Sequence, residues 1–259
     1  MFITRRRRSF ISGGSAPVAN PVEAPTITGS PTLLYSWDFA DNSKISKTGV
    51  LIDSIAGSDG TLMALGNTGT NRPALTVTSE NFQAASFSSA TQQFLFSNGL
   101  TQAPGWSFCV IVKMTNVSGT QRILEKSAGA SAVSFDRDML LLVPTVFRSQ
   151  KCNAASSSFA NSTTANANLH CITGVSKQAA AGTVISLDGI TPATGGATAD
   201  SVVNQDYFLI GASRASNAFT AYANMSMCRV LVYSTELSNA QLEEIAVWAN
   251  TNYGTPNLA

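Results

Sequence analysis

From Leu33 to Tyr233 the chain is a series of short runs in which apolar and polar residues alternate, each closed by Gly, Asn, Ser or Asp. No segment in that interval reads as an amphipathic helix. Such a chain folds by burying one face of each strand in antiparallel sheets that pack on one another. The clearest runs are Leu34 to Phe39, Ala84 to Phe87, Gln93 to Phe96, Trp106 to Met114, Arg122 to Glu125, Met139 to Val143, Leu169 to Val175, Thr183 to Leu187, Tyr207 to Gly211 and Met227 to Tyr233. Trp106–Met114 is apolar on both faces, with Phe108, Val110 and Val112 opposed to Cys109 and Ile111, which places it at the centre of a sheet. Asp188–Gly189 reads as a tight turn. The stretches 153–168 and 192–204 are low in complexity and read as surface loops.

One segment has helical periodicity. Ser238 with Gln241 three residues on makes a capping box, Leu242, Ile245 and Ala249 form a stripe edged by Ala246 and Trp248, and Gly254 is a C-terminal stop. The expected fold class is therefore all-β: an antiparallel β-sandwich with one C-terminal helix, expected to seal one end of it.

The chain has 259 residues, enough to bury a full core without disulfides or metals. Charged residues make up 12 %, about half the usual share of roughly 25 %. The 32 serines and 26 threonines take over the polar surface. This excludes a coiled coil, a charged disordered tail and a generally nucleic-acid-binding chain. No stretch approaches the ~20 apolar residues of a membrane-spanning helix.

The net charge of +1 hides an asymmetry. Residues 1–32 carry Arg5, Arg6, Arg7 and Arg8 against Glu23, which gives +3; residues 33–259 carry 12 basic and 14 acidic side chains, which gives −2. Pro17, Pro21, Pro25 and Pro31 keep the first segment extended and without a core of its own. Arg7–Arg8–Ser9–Phe10–Ile11 resembles a twin-arginine export signal, but Gly13, Gly14 and Pro17 interrupt the apolar segment such a signal needs. A nucleic-acid or anionic-membrane patch lacks interleaved aromatics. The reading expected is an anchoring arm, residues 1–32, that orders on a partner through Arg5, Arg6, Arg7, Arg8, Phe10 and Ile11. The body is 33–259.

The order of segments in the body resembles the concanavalin A-like lectin/glucanase superfamily, in particular laminin G-like jelly-roll domains. Tyr35 to Phe39 looks like the opening strand. Val50 to Leu62, with Asp53 and Gly57–Ser58–Asp59–Gly60, looks like the family's Gly-rich loop. Trp106 to Met114 is similar to the central strand, followed by Ile123–Leu124–Glu125–Lys126. Leu169 to Gly174, the Leu187–Asp188–Gly189 hairpin, Phe208 to Gly211, Cys228 to Tyr233 and the helix match the family's ending. The resemblance covers about residues 33–254 and implies a jelly-roll sandwich. It implies no single activity, because such sandwiches bind glycans, cleave them, bind proteins or build assemblies.

Catalytic chemistry finds little material. Glycoside cleavage needs two carboxylates about one scissile bond. None of the six glutamates begins the Glu-x-Asp-x-x-Glu pattern of the superfamily's glucanases, and Asp136 with Asp138 is the one same-face pair, read as a loop edge. His170 is the single histidine, and Cys171 beside it points to the opposite face, so a Cys–His dyad is geometrically poor. Cys109, Cys152, Cys171 and Cys228 lack metal-ligand spacing and read as small core residues. Four cysteines allow three complete pairings; where a disulfide forms, Cys152–Cys171 is the first expected. Asp38, Asp41, Asp53 and Asp59 could supply calcium oxygens, but Asx turn-capping accounts for them. Loop aromatics Phe159, Phe219 and Tyr222 are the candidates for stacking on sugar, with packing under loops as their alternative role. Asn116, Asn161 and Asn224 begin N-x-S/T triplets, which a Ser/Thr-rich chain produces by chance.

The sequence thus predicts a non-catalytic structural protein of a virion surface, such as a phage decoration, collar or fibre component. It would dock on other virion proteins through its arm, self-associate as a homo-oligomer, and need no cofactor, metal, membrane or nucleic acid. The alternative is a carbohydrate-binding module for host-surface glycan, and after that a glycan-cleaving enzyme.

Overall fold

Alternating runs become strands, and apolar strand faces decide what lies against them. The computed structural model describes residues 21–57, 62–65, 71–98, 105–127, 137–152, 157–178, 182–196, 207–215 and 218–256. In chain order the strands are β1 (Leu33–Asp38), β2 (Ile45–Thr48), β3 (Leu51–Ala56), β4 (Leu62–Leu65), β5 (Ala74–Val77), β6 (Gln83–Phe87), β7 (Leu95–Asn98), β8 (Trp106–Met114), β9 (Gln121–Ser127), β10 (Arg137–Val143), β11 (Val146–Cys152), β12 (Ser157–Thr164), β13 (Leu169–Ser176), β14 (Thr183–Leu187), β15 (Ala193–Thr194), β16 (Tyr207–Ile210), β17 (Ser213–Ala215), β18 (Ala218–Thr220) and β19 (Met225–Tyr233). Helix α1 (Asn239–Tyr253) follows.

The first layer runs β19–β8–β13–β14–β15, with β1 and β6 end to end on the free side of β19. The second runs β4–β7–β16–β9–β10–β11–β12. Strand β3 pairs with both β4 and β5, and β5 with β6, so the layers join along one edge. Every ladder is antiparallel, and the all-β sandwich with a single C-terminal helix is as expected. Strand β8 lies between β13 and β19, which explains its two apolar faces.

Between the layers lie Trp37, Phe108, Val110, Leu124, Leu140, Phe147, Ile172, Phe208 and Val230. Gly174 faces Phe108 so closely that a Cβ there would stand 2.3 Å from the ring. A second core forms on the outer side of the first layer, where Cys109, Ile111, Cys171, Val175, Cys228 and Leu231 meet Leu242, Ile245, Ala249 and Tyr253 of α1. The helix therefore lies over β8 and β13 rather than sealing an end, because that outward face is too apolar to stay in water. Its capping box is formed by Ser238 and Gln241, and Gly254 ends it at φ 66°.

Three further expectations change. Residues 21–32 are no free arm: Ile27 is buried in the second core, Val22 N–H donates to Asp38 Oδ2 (3.1 Å), Thr28 N–H to Glu244 Oε2 (2.7 Å), Gln241 Nε2 to Thr28 O (2.8 Å) and Trp248 Nε1 to Glu23 O (3.1 Å). The stretch 153–168, expected as loop, contains β12, and residues 51–56 of the expected Gly-rich loop form β3. Strand β11 was not legible, because it turns Ser149 and Lys151 inward along with Phe147.

Candidate ligand face on the second sheet

In antiparallel sheets, residues paired across neighbouring strands stand on one face about 4.8 Å apart, and positions i and i+2 follow about 7 Å along. On the outer face of the second layer this sets out three rows. Tyr207, Ser127, Arg137, Cys152 and Ser157 form the first; Leu209, Glu125, Met139, Gln150 and Phe159 the second; Arg122, Leu141, Arg148 and Asn161 the third. A register shift between Leu140 and Leu141 turns Arg122 to the same side as Glu125 despite their odd spacing. Leu209, Met139 and Leu141 are buried here, outside both cores, so the face has an apolar floor.

Glu125 is wholly buried at its centre, and burial raises its carboxyl pKa, offset in part by its hydrogen bonds and by Arg137 and Arg122. Ser213 Oγ donates to Oε2 (2.6 Å) and Arg214 N–H to Oε1 (3.0 Å), which pins the β17–β18 hairpin to the sheet. Arg137 donates to Ser213 Oγ (3.0 Å) and stands 3.8 Å from Glu125 Oε2. The Arg214 guanidinium lies 3.9 Å from the Tyr207 ring centroid, and that of Arg148 4.2 Å from Phe159's. Arg148 Nε donates to Asn161 (2.8 Å). Burial pushes the Arg122 pKa down, Glu125 opposes this and Arg137 adds to it; its Nε is buried without an acceptor. Burial also raises the Cys152 thiol, countered by the Gln150 hydrogen bond and by Arg137 and Arg122.

The sequence-derived residues fall in different places. Phe159 is 46 % exposed on β12, at the edge of this face. Phe219 and Tyr222 come together at the other edge of the layer, packed on Phe94 with centroids 4.1 and 6.1 Å away, and the Tyr222 hydroxyl donates to Phe219 O. Arg5, Arg6, Arg7, Arg8, Phe10 and Ile11 lie outside the described residues, as do Asp59 and Asp136. The Cys152–Cys171 pairing is corrected: all four cysteines are free, and Cys171 Sγ lies 3.7 Å from Cys109 Sγ beneath the helix while Cys152 lies on the outer face of the other layer. Asp138 points between the layers, where it accepts from Trp106 Nε1 (2.9 Å), so it shares no site with Glu125. His170 is buried, with Nδ1 2.5 Å from Asp188 and Nε2 3.0 Å from Asn166. Asp38 pairs with Arg229, Asp41 caps a 3-10 turn and Asp53 binds Arg72 and Thr48. Among the described residues no His, Cys, Asp and Glu cluster could hold a metal ion.

Sequence reasoning missed Arg122, Arg137, Arg148 and Arg214, four of the six arginines of residues 33–259. The signal was alternation within each strand; the register that gathers them was not in it. A separate cleft of about 360 Å³ lies between Gly189, Thr191 and Pro192 and the start of α1, but its buried Ser186 hydroxyl already donates to Ile190 O.

No protein-family model matches the sequence, and no curated protein matches it. Among solved structures, the chain is similar to a mutant Trypanosoma rangeli sialidase displaying trans-sialidase activity: 13 % identity, TM-score 0.52, 94 % of this chain and 35 % of that one. Trypanosoma rangeli sialidase in complex with 2,3-difluoro-KDN gives 13 % identity, TM-score 0.52, 92 % of this chain and 37 % of that one. The Ruminococcus gnavus IT-sialidase CBM40 bound to α2,3 sialyllactose is matched over 56 % of this chain and 83 % of that one, with 13 % identity and TM-score 0.48. The likeness to the sialidases is one of fold alone, and the chain spans about a third of their length.

Proposed function

We propose that the protein is a non-catalytic, lectin-like module that binds glycan on the outer face of its second sheet. The observation that carries this is the pair of guanidinium-over-ring contacts, Arg214 on Tyr207 and Arg148 on Phe159, flanking an apolar floor set with Gln150 and Arg137. A sugar presents apolar C–H faces and in-plane hydroxyls. It is held by planar apolar surfaces with a few fixed polar groups, and this face offers both. A binding role rather than a catalytic one is supported by Glu125, the carboxylate of this face among the described residues. Its oxygens are taken by Ser213 and Arg214, so neither a general acid nor a nucleophile is free.

The display of this face from a particle surface such as a virion is part of the same proposal. Val22 is held by Asp38 and Arg229 on the helix side of the first layer, so the chain joins the body opposite the arginine face. An anchor upstream would leave that face turned outward.

A glycan array probed with the full chain, followed by titration calorimetry, tests the binding. Tyr207→Ala combined with Phe159→Ala should weaken it at least tenfold. Absence of any ligand at millimolar concentration would sink the reading. Deleting residues 1–20 should leave glycan binding intact and abolish attachment to the particle; continued attachment overturns the display role.

A further inference from the structure

The candidate face does not stop at its edge strand. Strand β12 carries the exposed Phe159 and Asn161 on that face. Asn161, Ser162 and Thr163 also line a cleft of about 140 Å³, whose far wall is the segment from Ile185 to Ala193. That cleft shares Ser186 and Thr191 with the one of about 360 Å³ beside α1, so the two meet there. A path therefore leads from the Phe159 ring over the β12 edge and past Thr191 to Asn239 and Glu243. Between Phe159 and Thr163 alone the strand runs about 13 Å, at ~3.3 Å per residue. The larger cleft falls within the roughly 300–1,000 Å³ of small-molecule sites.

The lining suits a chain of sugars. Ile190, Pro192 and Ala193 are half-buried and give an apolar floor for C–H faces. Thr163, Thr191, Asn239 and Glu243 stand exposed beside it, with side chains that exchange hydrogen bonds with hydroxyls. Asn161 accepts from Arg148 through Oδ1, which leaves its amide N–H groups for a ligand. The Ser162 and Ser186 hydroxyls are turned back on the protein, to Thr163 O and Ile190 O, and belong to the walls. Resting on the glycan-binding reading above, we infer that the glycan is bound as an extended chain of several sugars. One ring lies on Phe159, and the following ones run along the groove between β12 and the β14–β15 turn toward Asn239 and Glu243. A peptide adding a strand to β12 is the less fitting occupant. Ser158 Oγ donates to Gly196 O, and a Cβ on Gly195 would stand 2.5 Å from Phe159 O, so residues 195–196 already close the first half of that edge.

The test is calorimetry on the full chain with gluco-, xylo-, manno- and chito-oligosaccharides of two to six residues, and with an extended Val/Thr hexapeptide. In at least one series, affinity should rise tenfold or more from the disaccharide to the hexasaccharide. Thr191→Trp fills the passage where the two clefts meet, at an exposed position that the fold does not depend on. It should bring the hexasaccharide back to the disaccharide's affinity and leave the disaccharide's own unchanged. Asn239→Ala removes a contact without adding bulk and should weaken the hexasaccharide about threefold. A flat length series, or hexasaccharide binding that Thr191→Trp leaves undiminished, overturns the inference and leaves the glycan-binding reading standing. Absence of saccharide binding overturns both, and tighter binding of the hexapeptide overturns the inference in favour of a peptide.

Discussion

Glu125 and Asp138 lie on adjacent strands, yet they serve opposite sides of one sheet. Glu125 pairs across to Met139 and faces outward; Asp138 pairs across to Lys126 and faces the core. Asp138 also stands opposite Lys151 in register, so two lysines and one aspartate are buried together near Trp106. Burial lowers the Lys126 pKa to about 8, although Asp138 pulls it up. Below that pH the ammonium is protonated in both folded and unfolded chains, and its burial cost is fully felt. As pH rises through 8 the folded form deprotonates first, so stability grows. Urea unfolding at pH 7.5 and 9.0 should show the wild type gaining about 1 kcal/mol relative to Lys126→Met; an unchanged difference would mean that the ammonium is solvated. Gly174 makes a second case. Gly174→Ala pushes a methyl into Phe108 and should cost about 1–3 kcal/mol, with Phe108→Leu recovering part of it in a double-mutant cycle. Neither effect is visible in the sequence, where Lys126 follows a run expected as strand and Gly174 is one glycine among 19.

At the scale of elements, helix α1 was the most legible and its place the least. The capping box and αL stop are local chemistry, which three or four neighbouring residues decide. Where the helix docks depends on β8, β13 and β19 presenting Cys109, Ile111, Cys171 and Leu231 outward together, a consequence of their pairing. Gln241 closes the cap and also holds Thr28 O, so the cap and residues 21–32 are coupled. Gln241→Ala should lower hydrogen-exchange protection at the Thr28 amide with no change at the β8 amides; unaltered protection would show that Ile27 and the Thr28–Glu244 hydrogen bond hold the segment without Gln241. Ser238→Ala should cost about 1 kcal/mol by thermal or urea unfolding. Strand β12 went unread for the opposite reason. Ser157–Thr164 has little apolar contrast between its faces, and it is a strand because β11 supplies its hydrogen-bond partners.

Across the whole molecule, the longest-range pairing is the most consequential. Strand β19 holds β1 and β6 on one side and β8 on the other, so the first layer is complete only once the C-terminal third of the chain has formed. A chain ending at residue 224 should therefore show no cooperative unfolding transition by near-UV circular dichroism; a retained transition would mean that the second layer folds alone. The all-β class, the helix with its two ends and the apolar centre at β8 were legible in the sequence, because these rest on periodicity and capping within a few residues. The candidate site came into being with the packed fold. Arg122, Arg137 and Glu125 become neighbours through a strand register and one bulge, and Arg214 through a hairpin pinned by Glu125. Register is set by how entire faces bury against one another, and no local pattern carries that information.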